Sequence, residues 1–186
     1  MAAHQSEDFK RVRPPFEGRL VRLRAVEEDD LPWINREFWN PAVTRNLTVV
    51  WPEPLDGTRA WWEATRRHDP GPLLIETQSG EPVGVCTLEE VDGRSRAAVL
   101  GIWIAEAHWR RGYGTDAVRT LCRFGFREMN LQRIGLSVYE TNPGGVRVYE
   151  KVGFKEEGRR RRAEFVDGRY VDVIEMGLLV DELIED

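Results

Sequence analysis

The feature that most constrains this chain is an apolar strand followed by a charged loop and two glycines that open a helix. The strand is Val99–Ala105, and the glycines are Gly112 and Gly114. The free N–H groups at a helix start, together with the helix dipole, form a binding site for a phosphate group. Glycine lets a ligand approach the backbone closely, and Arg110 and Arg111 add positive charge. The segment therefore predicts a pyrophosphate-binding turn.

Spacing around the glycines separates the classes of protein that bind a pyrophosphate in this way. A Walker P-loop requires Gly-Lys-Ser/Thr, but Gly114 is followed by Thr115 and Asp116, which excludes that class. The G-x-G-x-x-A pattern matches the dinucleotide fingerprint, yet that fingerprint follows its strand directly, and here Glu106–Arg111 intervenes. A nicotinamide-dependent dehydrogenase is thus disfavoured but open, as is a helix start whose glycines serve packing alone.

The rest of the chain predicts one mixed α/β domain. Arg19–Arg24 alternates apolar and charged residues, as a half-buried strand does, and a helix follows from Val26 with acids in its first turn. A loop over Asn40–Pro54 precedes a second helix, from about Leu55 to His68. The other predicted strands are Pro72–Thr77, Pro82–Val91, Ala97–Ala105, Arg133–Tyr139, Phe154–Phe165 and Tyr170–Val180, and the other helices are Gly112–Met129 and Pro143–Val152. The order β-α-α-β-β-β-α-β-α-β-β contains one parallel β-α-β crossover at its centre.

Length and composition exclude several classes of protein. The 186 residues fit one domain, and we expect residues 1–17 to form a loose N-terminal arm before a folded domain over residues 18–186. No run of about 18 apolar residues predicts a transmembrane helix, and the start lacks the apolar region of a secretory signal. The net charge of −5 argues against a nucleic-acid binder. We therefore expect a cytoplasmic protein with neither a nucleic acid nor a membrane as partner.

The two cysteines, Cys86 and Cys122, lie in apolar stretches of the sequence. Two such residues make neither a disulfide framework nor a zinc site, so we expect buried thiols and no metal. Neither cysteine has a histidine or a charged activating neighbour in sequence, which argues against a nucleophilic thiol.

Three segments in order resemble the GNAT acetyltransferase superfamily, and the resemblance covers about residues 19 to 180. Trp109–Ala117 (WRRGYGTDA) is similar to the family's acetyl-CoA loop. Asn142–Phe154 (NPGGVRVYEKVGF) is similar to the element that ends in Tyr-Glu-Lys-x-Gly-Phe. Glu157–Met176 resembles the closing hairpin. The likeness is nearest to the branch that contains ribosomal-protein N-terminal acetyltransferases and polyamine acetyltransferases.

This resemblance implies a GNAT-like fold and acetyl-CoA as the acetyl donor, without a metal. Strands four and five, Val99–Ala105 and Arg133–Tyr139, would be parallel and would splay apart around the pantetheine arm. Asn142 would reach the pantetheine or the reacting centre, and Tyr149 would lie beside the sulfur. The other implied cofactor contacts are Ile102, Trp103 and Ile104 along the arm, Arg110, Arg111, Gly112, Tyr113, Gly114 and Thr115 at the pyrophosphate, and Trp109 and Lys151.

Acetyl transfer to an amine requires a neutral nucleophile, a polarised thioester carbonyl and a proton for the departing thiolate. Tyr149 is the predicted general acid, with Asn142 as the second catalytic residue; the alternative for Tyr149 is an aromatic ring that packs its helix onto the sheet. No general base is evident, because the family branch often carries a glutamate on strand four where this chain has Val99. A water relay is one possibility, and the nearby acids, each also explicable as a solvated surface group, are Glu89, Glu90, Asp92, Glu106 and Glu140.

The predicted reaction is direct acetyl transfer to a primary amine in a ternary complex. The acceptor is a protein N-terminus, a polyamine or another small amine. Deprotonating an amine of pKa ~10.4 at pH 7 costs roughly 4.6 kcal/mol, against about 1–1.4 kcal/mol for an α-amine. A site without a dedicated base therefore favours peptide N-termini over lysine side chains. The alternative is a non-catalytic acyl-CoA-binding regulatory module, and either could be a homodimer.

Overall fold

A mixed seven-stranded sheet organises the chain, and the computed structural model describes residues 14–48, 51–67 and 70–185. The strands are β1 (Val21–Ala25), β2 (Leu73–Thr77), β3 (Pro82–Asp92), β4 (Ala97–Ile104), β5 (Arg133–Tyr139), β6 (Lys155–Val166) and β7 (Arg169–Leu179). The helices are α1 (Leu31–Phe38), α2 (Pro41–Thr44), α3 (Leu55–Thr65), α4 (Tyr113–Arg127) and α5 (Pro143–Val152). Within the sheet the strands lie in the order β1-β2-β3-β4-β5-β7-β6. In the described ranges, no helix is long and apolar enough to cross a membrane.

The predicted order of strands and main helices is confirmed, with differences at the edges of elements. The expected loop over Asn40–Pro54 contains the short helix α2, because the Asn40 side chain accepts the Ala42 N–H at 2.9 Å and so caps the helix start. The second long helix ends at Thr65, and His68, its predicted end, lies outside the described residues.

Strands β4 and β5 are parallel over only a short distance. Their paired residues run from Ala97 with Arg133 to Val99 with Gly135. Beyond Val99, β4 continues along β3 as far as Ile104, while β5 continues along β7. The predicted splay is therefore confirmed, and a gap opens between β4 and β5 from Gly101 onward.

The two faces of the sheet are covered differently. Helices α4 and α5 pack on one face and build the main core, which includes Leu100, Leu121 and Ile134. Helices α1 and α3 cover part of the other face through a second cluster around Leu31 and Val85. The remainder, named here the open face, carries the side chains of Thr87, Glu89, Val99, Ser137 and Glu175, the last four placed by their cross-strand pairings.

The segment before β1 is anchored on α4 by a buried carboxylate. Asp116, in the first turn of α4, accepts the backbone N–H groups of Arg19, Leu20 and Val21 at 2.7 to 3.0 Å. These contacts hold residues 19 and 20 out of the predicted strand, which begins at Val21. Residues 14–17, assigned above to the arm, also pack on α4: the ring of Phe16 lies 4.4 Å from that of Phe124. Residues 1–13 lie outside the described ranges.

Candidate active site

The glycine turn has the geometry of an anion site at the start of a helix. Gly112 precedes α4 in the left-handed region with φ of +86°, which only glycine adopts without strain. The N–H groups of the first turn of α4 are thereby directed out of the helix end. Arg110 and Arg111 are exposed, and within the described ranges neither side chain forms an ion pair. Two guanidinium groups are thus free to contact a phosphate beside this turn.

The backbone of β4 presents hydrogen-bonding groups to the gap. In an antiparallel ladder, residue pairs that exchange hydrogen bonds alternate with pairs that do not. Ala105 donates its N–H to the Val83 carbonyl at 2.9 Å, so the backbone of Trp103, two residues earlier, also faces β3. The backbones of Ile102 and Ile104 therefore face the gap, where an extended ligand arm can pair with them.

The two tryptophans expected near the cofactor lie in different surroundings. Trp103 stacks on Trp33, with ring centroids 5.8 Å apart, and belongs to the aromatic cluster beneath α1. Neither its backbone nor its side chain lies toward the gap, so its placement does not support the expected contact. Trp109 donates its indole N–H to the Ile104 carbonyl at 2.7 Å and holds the charged loop against the end of β4.

Three elements meet at Gly114. A Cβ built at this position would lie 3.6 Å from Cγ1 of Ile104 and 4.0 Å from Cγ2 of Val148. The start of α4 therefore faces both the end of β4 and the middle of α5, one residue from Tyr149. The structure thus brings the predicted pyrophosphate turn, the predicted pantetheine strand and the predicted catalytic helix together around Gly114.

Asn142 and Tyr149 lie at the start and on the buried side of α5. The Asn142 side-chain oxygen accepts the Gly145 N–H at 2.9 Å and caps the helix. Its amide NH₂ can still donate to a ligand. Tyr149 is 9% exposed and packs edge-on to Phe154, with ring centroids 5.8 Å apart. No described residue hydrogen-bonds to its hydroxyl, and Lys151 is exposed on the same helix.

Burial controls the protonation of the site's phenol and of the two thiols. It raises the pKa of Tyr149 to about 12, so the phenol stays protonated at neutral pH. It also raises the pKa of both Cys86 and Cys122 well above the ordinary value. Because the thiolate is the nucleophilic form of cysteine, neither thiol is suited to covalent catalysis.

A depression of about 320 Å³ lies on the open face, beside the last paired residues of β4 and β5. Its charged lining comprises four carboxylates and one guanidinium: Glu90, Asp92, Glu157, Glu175 and Arg133. Hydrogen bonds from Ser95 and the backbone lower the pKa of Asp92, and Arg133 lowers that of Glu157. Because Glu157 and Glu175 are paired with Arg133 and Arg160, the net negative charge of the depression comes from Glu90 and Asp92.

Two of the acids considered as general bases are engaged elsewhere. Glu106 accepts a hydrogen bond from Asn40 Nδ2 at 3.1 Å. Glu140 accepts the Asp172 N–H at 3.1 Å and lies 3.5 Å from Arg159. Glu89 instead lies on β3, where it accepts the hydroxyl of Thr87 at 2.9 Å. Sequence reasoning missed both this pair and the Asp116 anchor; the alternation Thr-x-Glu on one face of a strand was the only local signal.

Comparison with known proteins agrees with this geometry. The family model for the acetyltransferase (GNAT) domain matches residues 20–155. The chain belongs to the GNAT acetyltransferase family. It is therefore an acyltransferase that takes its acetyl group from acetyl-CoA and transfers it to an amine, which removes the dehydrogenase and the non-catalytic module as interpretations. The gap-facing backbone of β4, the glycine turn and the two arginines, which no described acid pairs with, fit the arm and the phosphates of that donor.

Relatives and solved structures agree on fold and chemistry. Spermidine N(1)-acetyltransferase of Vibrio cholerae is 31% identical over 164 residues, which cover 86% of this chain and 92% of the relative. Its crystal structure with CoA and spermine aligns with a TM-score of 0.81 at 28% identity, covering 88% of this chain and 97% of the other. YdaF of Bacillus subtilis, assigned provisionally to ribosomal N-acetylation, is 33% identical over 103 residues, or 55% of this chain and 56% of its own.

Proposed function

We propose that the acceptor is a primary amine of a small polycation of the polyamine class, acetylated directly within a ternary complex. The observation that carries this proposal is the acidic depression beside the gap. Two of its four carboxylates, Glu157 and Glu175, are paired with Arg133 and Arg160, and the other two, Glu90 and Asp92, leave a net negative charge that a chain with two or three ammonium groups complements. The similarity to spermidine acetyltransferases of known sequence and structure supports the same class of acceptor.

Donor binding would use the turn and the gap. The Gly112 turn with Arg110 and Arg111 would hold the pyrophosphate, and the backbones of Ile104 and Ile102 would pair with the pantetheine arm. An arm that passes Ile104 and then Ile102 brings the thioester to the narrow end of the gap. Asn142 would donate to the arm through its free NH₂. Backbone N–H groups at this point of β4 would polarise the thioester carbonyl.

Tyr149 would protonate the departing thiolate. The phenol is protonated at neutral pH, burial raises its pKa to about 12, and no described residue competes for its hydroxyl. Because a thiolate is a weaker base than a tyrosinate, this transfer is unfavourable by itself, so it would be coupled to cleavage of the C–S bond and to return of a proton from the attacking nitrogen to the phenol. The position of the phenol on α5 relative to the sulfur therefore decides whether this step is fast.

The test compares acceptors and removes charge from the depression. Purified protein is assayed for CoA release with spermidine, with a short peptide bearing a free N-terminus, and with a monoamine. The double variant Glu90→Gln/Asp92→Asn removes the two carboxylates that no described cation pairs with, and it should raise KM for spermidine by about 3- to 10-fold, as expected for two solvent-exposed ion pairs, and leave the monoamine unchanged. Glu63→Gln, an exposed acid on α3, is the matched control. Equal KM values in the double variant and the wild type would contradict the proposal.

A protein N-terminus is the second candidate acceptor. The lower cost of deprotonating an α-amine favours it, and the partial similarity to YdaF agrees. A higher kcat/KM for the peptide than for spermidine in the same assay would select it. Cytoplasmic location and a homodimer stay predictions; sedimentation of the purified protein tests the second.

A further inference from the structure

We infer that Glu89 is the proton acceptor for the attacking amine, oriented by the hydroxyl of Thr87. Both residues lie on β3, on the open face, and Gly101 of β4 leaves the space that they occupy. This inference rests on direct acetyl transfer to an amine, as proposed above, but not on which amine is the acceptor.

The register of β3 and β4 places the carboxylate at the start of the gap. Glu89 is the cross-strand partner of Val99, the last residue of β4 that pairs with β5, and Thr87 is the partner of Gly101. A Cβ built at Gly101 would lie 2.6 Å from the Thr87 hydroxyl and 3.8 Å from Oε1 of Glu89. The hydroxyl and the carboxylate therefore lie over the backbone of β4 where a side chain would otherwise project.

The same point is where the thioester would arrive. A donor held by the Gly112 turn, with its arm along Ile104 and then Ile102, has its acetyl end beside Gly101. The donor enters from the side of α4 and α5, so the amine must approach from the open face. Glu89 lies on that face, next to the carbon that the amine attacks.

Charge distinguishes Glu89 from the neighbouring acids. Glu157 and Glu175 are paired with Arg133 and Arg160, whereas no described cation pairs with Glu89. Its one hydrogen bond, from Thr87, is to Oε1, which leaves Oε2 able to accept a proton. Val99, the cross-strand partner of Glu89, is apolar, so the carboxylate at this point of the sheet comes from β3.

The proton balance of the step is as follows. The ammonium R–NH₃⁺ breaks one N–H bond, and its proton forms an O–H bond on Glu89, directly or through one water. The neutral nitrogen then forms the C–N bond to the acetyl carbon, and the C–S bond breaks as Tyr149 gives its proton to the sulfur. The second proton lost by the nitrogen restores the phenol, and Glu89 releases its proton to solvent. One proton is released per acetyl group transferred.

The test is the pH dependence of kcat/KM in Glu89→Gln at saturating acetyl-CoA. In the wild type, the base accepts a proton from the bound ammonium, so kcat/KM should be flat above neutral pH. In the variant, only amine that is already deprotonated reacts, so log kcat/KM should rise by about one per pH unit up to the pKa of the acceptor. The loss should be about 10²-fold or more at pH 7, within the range of general-base removal, and should nearly vanish near pH 10.

Two further variants separate a base from other roles. In Thr87→Val, kcat/KM at pH 7 should fall to about a tenth of the wild-type value, and this loss should shrink as the pH rises, as in Glu89→Gln. Thr87→Ser retains the hydroxyl and should behave as wild type. A site that only binds cations predicts a raised KM for spermidine and no change for a monoamine at any pH. Acetyl-CoA affinity by calorimetry should be unchanged in every variant, and Glu63→Gln should match the wild type throughout.

The outcomes distinguish this inference from the proposed acceptor. A flat profile in Glu89→Gln, or an equal loss at every pH, overturns the role of Glu89. Turnover of the peptide without turnover of spermidine overturns the polyamine proposal, and the pH profile is then measured with the peptide. A wild-type protein that acetylates none of the three amines contradicts both.

Discussion

Among single residues, Tyr149 gives the clearest test of whether a side chain acts in catalysis or only in packing. If it protonates the thiolate, Tyr149→Phe should lower kcat and kcat/KM for the acceptor together, by about 10²–10⁴. Acetyl-CoA affinity should barely change, because phenylalanine retains the ring that packs on Phe154. Steady-state kinetics beside calorimetry measure both quantities. A variant that keeps more than about a third of the wild-type kcat would show that the ring serves packing only.

The thiols give a second prediction at this scale. Burial raises the pKa of Cys86 and Cys122, so neither should carry the acetyl group during turnover. Intact mass after incubation with acetyl-CoA alone should show no acetyl adduct. An adduct that disappears in Cys86→Ser or Cys122→Ser would replace direct transfer by a two-step mechanism.

Between elements, Gly114 lies where the start of α4 approaches β4 and α5. Gly114→Val should abolish acetyl-CoA binding, because the added methyl groups would extend toward Ile104 and Val148 from a Cβ already in contact with both. The fold should persist, since Gly114 has no left-handed backbone. Calorimetry and thermal unfolding measure the two effects.

Gly93→Val is the matched control, because a Cβ at that hairpin position meets nothing within 4 Å. It should bind acetyl-CoA as the wild type does. Wild-type affinity in Gly114→Val would show that the donor does not pass between α4 and β4.

Elements were predictable from the sequence where their signals are local. The glycine turn before α4 and the helix that begins at Pro143 depend on residues within one turn of each other, and both were predicted. Helix α2 was missed although Asn40 and Pro41 form a cap and first position of the preferred types. The Asp116 anchor joins backbone groups 95 to 97 residues away, and no local pattern reports such a contact.

Contacts between residues that are far apart in the sequence also explain why the site was predicted only in part. Glu89 was considered only as one of several acids, because its importance depends on the register that sets it opposite Val99 and near Gly101. Trp103 was assigned to the cofactor because it lies between Ile102 and Ile104, whose backbones face the gap. Alternation along a strand turns its backbone and side chain away from the gap.

For the whole molecule, charge should govern the capture of the acceptor. The chain has a net charge of −5, and the depression adds a local excess of carboxylates. The kcat/KM for spermidine should therefore fall as salt rises from 0.05 to 1 M, where the Debye length shrinks to about 3 Å. The kcat/KM for a monoamine that carries no further charge, measured in parallel, should fall less. Identical salt responses for both amines would argue against electrostatic capture.

The anchor formed by Asp116 links the amino-terminal edge of the sheet to the phosphate turn. The carboxylate belongs to the first turn of α4, and its three donors are the amides of residues 19 to 21. If β1 separates from the sheet, the Asp116 carboxylate loses these hydrogen bonds. The start of α4, where the donor would bind, is then held less firmly. Deuterium uptake at the amides of Leu20 and Val21 should therefore slow when CoA binds. Exchange at these two amides would then show whether CoA occupies the Gly112 turn.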